Sequence, residues 1–143
     1  MMFRSLIVAL ALPCAALAEG QVTYDTDADF ADVAFYLENA IIEEGLKIDH
    51  TSHVGDMLER TREDVGSDVV LYDHAVVYSF CSATLSRQVM EADPMNLGFC
   101  PYRIFAMQVH GSDTVTVGYH TMPDGAMQVV EALLDRIARA AVE

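Results

Sequence analysis

The sequence predicts an α+β fold, a two-layer sandwich of a mainly antiparallel sheet with helices packed on one face. Three observations carry this. Stretches that alternate with period two are interleaved with stretches of helical period. Tyr102–Val109 and Thr114–His120 read as an antiparallel hairpin across His110-Gly111-Ser112-Asp113. Ala126, Val130, Leu133, Leu134, Ile137 and Ala141 line one side of a C-terminal helix, which must bury that stripe against a second layer.

Taken in order, Val22 to Tyr24 is a short first strand. Thr26-Asp27-Ala28-Asp29 supplies capping oxygens and acidic first-turn charge, both suited to a helix N-terminus. Phe30, Val33, Ala34, Leu37 and Ile41 then recur at helical spacing, and Gly45 stops the helix. Leu46 to Val54 is a strand with Leu46, Ile48 and His50 on one face. Asp56 to Val65 is a short helix between glycines. Ala75 to Cys81 is a strand rich in Val, Tyr and Phe. Ser82 to Ala92 is a helix closed by Asp93-Pro94, and Met95 to Pro101 is a loop. Asp124-Gly125 opens the last helix, and Arg136 and Arg139 sit near its negative end.

The hairpin has an internal check. Pairing Val109 with Thr114 sets Met107 against Thr116, Phe105 against Gly118 and Arg103 against His120. One face then carries Ile104, Ala106, Val115, Val117 and Tyr119, a core surface. The other carries Phe105, Met107, Val109 and Thr116, too apolar to face plain solvent. Gly118 leaves room for the Phe105 ring to lie across its strand. Cover by the chain itself, a homodimer interface or a ligand face would each account for this surface.

The first residues do not read as fold. Arg4 is a positive n-region, Ser5 to Leu12 an apolar h-region and Ala16-Leu17-Ala18 a small-x-small cleavage site. Residues 1–18 are therefore expected to be a signal peptide and 19–143 a single α+β domain, periplasmic once exported. Cleavage would leave 125 of the 143 residues, with 7 basic against 22 acidic residues and a side-chain charge of −15. That balance excludes nucleic acid, which needs clustered Lys and Arg, and disfavours an anionic membrane surface. It suits solubility, or attraction to a basic periplasmic protein. At 52% hydrophobic residues the chain is no disordered acidic tail. No segment after the signal is long and apolar enough to be transmembrane.

Cleavage also removes Cys14 and leaves Cys81 and Cys100. An even pair in an exported chain reads first as a disulfide. Cys81 ends one strand and Cys100 precedes the next, so antiparallel strands would bring the sulfurs together. The alternatives are a thiol-redox pair, although no CxxC is present, or a soft-metal or haem site. Weak metal candidates are Cys81, Cys100, His50, Met90 and Met95. His50-x-x-His53 is poorly spaced for chelation on a strand, and no CxxCH is present. A Cys-His nucleophile pair, such as Cys81 with His50 or His74, is conceivable, but residues this scattered seldom form a triad. No GxSxG or other catalytic constellation appears, so no catalytic residue is assigned and the reading leans away from an enzyme.

The segments GLKIDHTSHVGDMLERTREDVG, YSFCSATLSRQVMEADPMNLGFCPYRIF and VTVGYHTMPDG resemble the exported branch of the domain of unknown function 302 family. Phe80-Cys81-Ser82-Ala83, Ala92-Asp93-Pro94 and Phe99-Cys100-Pro101-Tyr102 are the most specific pieces. The resemblance spans Asp25 to about Val142. It implies a compact domain with an antiparallel sheet, helices mainly on one side, and homodimers. It carries no catalytic or binding set. The expectation is an accessory or binding protein using the Cys81/Cys100 pair. Ligand candidates are Phe99, Tyr102, Arg103, Phe105, Met107 and His120, for a small apolar ligand or a basic partner.

Overall fold

The computed structural model describes residues 20–143. The expected signal segment, 1–18, lies outside them. The element order is β1 (Gln21–Thr26), α1 (Phe30–Glu43), β2 (Lys47–Ser52), α2 (Val54–Thr61), β3 (Tyr72–Cys81), α3 (Ala83–Ala92), β4 (Tyr102–Val109), β5 (Val115–His120) and α4 (Gln128–Ala140). The five strands form one sheet in the order β1-β5-β4-β3-β2, with every neighbouring pair antiparallel. This is the α+β fold that the alternation of periods predicts.

The core lies between one sheet face and α1 and α4. Val76, Tyr78 and Phe80 of β3, Ile104 and Ala106 of β4, and Val115 and Val117 of β5 are buried there. They meet Val33, Leu37 and Ile41 of α1 and Val130, Leu134 and Ile137 of α4. Each set follows its own period, two on the strands and three-to-four on the helices, so local geometry and burial agree. Three phenols reach from the sheet to the helices and satisfy their hydroxyls. Tyr78 donates to Glu38 at 3.0 Å. Tyr24 and Tyr119 both donate to one oxygen of Asp135. Arg139 binds the other oxygen at 2.9 Å and lies over the Tyr24 ring. α2 has no fully buried residue and packs against β3.

The hairpin register holds where it is paired. Phe105 faces Gly118 and Met107 faces Thr116, with Gln108 opposite Val115. Phe105 does lie across Gly118: a Cβ built there would stand 2.5 Å from its Cζ. Several segments depart from expectation, among them α2, which starts at Val54 and ends at Thr61 rather than running from Asp56 to Val65. β1 and β3 run longer than read, because edge and outer positions there are polar and broke the apolar runs. Met95–Pro101 is not an open loop, since Pro94–Phe99 is a 3₁₀ helix. The Asp93 carboxylate caps it, accepting from Met95 N–H at 2.9 Å, and Asn96 Nδ2 ties it to the Val89 carbonyl at 2.8 Å. Finally, β2 has a bulge between Ile48 and His50. Ile48 pairs with core-facing Phe80, but His50 pairs with outward-facing Ser79, so the two do not share a face.

Candidate functional site: the outer sheet face and the cysteine pair

The route from β3 to β4 builds the cysteine pair. Phe80 and Tyr102 are the last partners of the β3–β4 ladder, so Cys81 and Cys100 lie one and two residues beyond it. Between them the chain must leave one strand and return to its neighbour. Ser82 caps α3 through the Leu85 N–H at 3.3 Å, and the Cys100 N–H closes the 3₁₀ turn on the Leu97 carbonyl at 3.1 Å. The Cys100–Pro101 peptide is cis. The two sulfurs stand 2.8 Å apart as free thiols, longer than the roughly 2.05 Å of a disulfide bond. Burial first, then the hydrogen bond to Cys100, pushes the Cys81 thiol up to about 12. A thiol held protonated in this way is a poor nucleophile at neutral pH.

Cys81 opens onto the outer face of the sheet. There it shares a groove of about 660 Å³ with Asp49, His50, Ser79, Pro101 and Arg103. The strand register explains the grouping, for His50 pairs with Ser79 and Ser79 with Arg103. The bulge in β2 is what turns His50 to this side. Val54 and Val77 continue the groove into an apolar one of about 340 Å³, floored by Ala75, Phe105 and Met107. On the other flank, Pro101 and Arg103 also wall a groove of about 300 Å³ with Phe99, His120 and Met122.

The expected ligand residues therefore divide. Arg103, Phe105, Met107 and His120 share the outer face, and Phe99 borders it. Tyr102 does not, since it is 1% exposed on the core side, with its hydroxyl 3.1 Å from Ser86 Oγ. Its neighbours in sequence suggested a common site, but alternation along β4 sends it the opposite way. Of the metal candidates, His50 lies in the Cys81 groove, Met90 packs against the core and Met95 is 80% exposed on the 3₁₀ helix. Among the described residues no group of three or more His, Cys, Asp or Glu is arranged to hold a metal ion. His74 stacks on Phe30 with ring centroids 4.7 Å apart, at the far end of β3 from Cys81. Ser79, Val77, Val54 and Pro101 were not among the expected residues. The outward alternation Cys81, Ser79, Val77, Ala75 along β3 signals Ser79 and Val77, whereas Val54 at the start of α2 and Pro101 before β4 carry no such signal.

Against known proteins, the family model described as "Domain of unknown function DUF302" matches residues 22–143. The chain belongs to the DUF302 family. A solved relative in fold is the crystal structure of an uncharacterized conserved DUF302 protein from Bacillus stearothermophilus. It is 17% identical, with a TM-score of 0.60 over 85% of this chain and 91% of that one. At that identity the likeness speaks to the fold alone. No curated protein matches the chain. Within this DUF302 domain no helix among the described residues is long and apolar enough to cross a membrane.

Proposed function

We propose that this DUF302 protein is an exported, periplasmic accessory or binding protein. In this reading Cys81 and Cys100 form a disulfide that fixes the rim of a ligand groove on the outer sheet face. The observation that carries it is the 2.8 Å approach of the two sulfurs beside that groove. Oxidation would need the sulfurs to close by less than about 1 Å. The signal-like residues 1–18 support an oxidising compartment, in which such a pair forms and persists. A bridge closing a loop of about 20 residues adds about 3 kcal/mol by restricting the unfolded chain.

The test is mass spectrometry of alkylated protein purified from the periplasmic fraction. The expected mature chain begins at Glu19, carries no alkyl label and loses 2 Da relative to the dithiol (one hydrogen per sulfur). Two alkylated cysteines would overturn the disulfide. Cys81→Ser with Cys100→Ser should lower the unfolding free energy by about 3 kcal/mol in urea. A redox role requires instead a reduction potential above the roughly −300 mV typical of structural bridges. A soft-metal or haem carrier would show its bound group in native mass spectra of the same preparation.

A further inference from the structure

We infer that the outer groove takes an amphipathic organic anion, with its charged head at Arg103 and its apolar tail along Val77, Phe105 and Met107. This rests on the binding-protein reading and names the chemical class of its ligand.

The head site follows from charge and register. Four arginines are engaged in ion pairs, Arg62 with Glu59, Arg87 with Glu91, Arg136 with Glu44 and Arg139 with Asp135. Arg60 and Arg103 have no ion pair or side-chain hydrogen bond among the described residues, and of the two only the exposed Arg103 lines the outer-face grooves. It stands on the outer face next to Ser79, with His50 beyond Ser79 in the next strand. His120 shares its other flank. A guanidinium, a hydroxyl and two imidazoles thus lie in line across the sheet, in a chain where acidic residues outnumber basic ones 22 to 8. An unpaired guanidinium presents a fork of donors that matches a carboxylate. Asp49 is the one carboxylate lining this part of the trough and works against an anion.

The tail site follows from alternation. Moving along β4 from Arg103, the next outward residues are Phe105 and Met107. Moving along β3 from Ser79, they are Val77 and Ala75. The surface therefore changes from polar to apolar within one strand repeat, in a single direction. The two grooves share Val54 and Val77, so the trough is continuous. Phe105 lies across Gly118, so its ring covers the neighbouring strand. The groove volumes fall in the range of small-molecule sites.

Isothermal titration with decanoate, and with decan-1-ol as its uncharged counterpart, tests this on the full mature protein. Decanoate should bind at least about tenfold more tightly than decanol, since the head contributes a charge-assisted contact. Arg103→Gln should erase that margin and leave decanol unchanged. Asp49→Asn should tighten decanoate, an effect that loss of folding could not mimic. Met107→Asp should weaken both ligands. Equal binding of the two ligands, or an unaltered margin in Arg103→Gln, would overturn the anionic head while leaving a binding protein standing. Binding of neither would overturn the whole ligand assignment. A different molecule retained in native mass spectra would then preserve the broader reading, and a bare protein would remove it.

Discussion

At the scale of single residues, Gly118 and Phe105 are the clearest case of sequence dictating structure. The ring crosses β5 only because residue 118 lacks a side chain, and a Cβ there would also meet Thr23 Cγ2 at 3.0 Å. Gly118→Ala is expected to cost about 1–3 kcal/mol, the range for overpacking, measured by urea unfolding. Combining it with Phe105→Leu should recover part of that loss, because the residues are in contact. An additive double variant would show that the ring is not what the alanine meets. This pairing is legible from the hairpin alone. The burial of Tyr102 is legible too, once strand alternation is given more weight than proximity to Cys100 and Arg103. The place of His50 is not, because a one-residue bulge reverses every side chain beyond it and leaves no mark in the local sequence.

At the scale of elements, α2 is the least buried of the four α-helices. It buries no residue fully, whereas α1 and α4 each bury several. Its hold on the sheet depends on closeness: a Cβ at Gly55 would lie 2.8 Å from the Ala75 backbone nitrogen. Gly55→Ala is therefore expected to lift α2 from β3. Hydrogen exchange should show α2 amides opening at least about tenfold faster while those of α1 and α4 change little, the sign of a sub-global event. Uniform acceleration across the chain would place α2 in the global folding unit instead. Amphipathic periods reveal α1 and α4 because each has a partner layer for its apolar stripe. The 3₁₀ helix at Pro94–Phe99 escapes that kind of reading, since it is held by Asp93 and Asn96 rather than by an apolar period.

At the scale of the molecule, carboxylates tie separate parts of the chain together and set its acid limit. The Asp73 carboxyl is held low first by its hydrogen bond to His110 and then by the Gly111 N–H, across the β3 start and the hairpin turn. Arg136 lowers Glu44 through a two-pronged contact at 3.0 Å between α4 and the end of α1. Tyr24, followed by Arg139 and Tyr119, lowers Asp135. Each folded value lies below the unfolded one, so each contributes stability that is fully present above the ordinary carboxylate range of about 4. That contribution is lost as pH falls through the depressed folded values. Thermal midpoints should therefore drop below about pH 4. Asp135→Asn should lower the neutral midpoint and make the acid decline shallower. A decline as steep as in the parent protein would remove Asp135 from the linkage.

The sequence by itself determined the α+β class, the core faces of β4, β5, α1 and α4, membership of the DUF302 family and the strong excess of acidic charge. These rest on periodicity, composition and motif, which are local properties or simple sums over the chain. Only the tertiary structure decided that His50 turns to the outer face and that the cysteine pair stands beside it and Arg103. Those relations depend on how neighbouring strands are registered and on one bulge in β2. Unlike the hairpin register, the register of β2 on β3 and of β3 on β4 is set by contacts between residues far apart in sequence, and no local pattern encodes it.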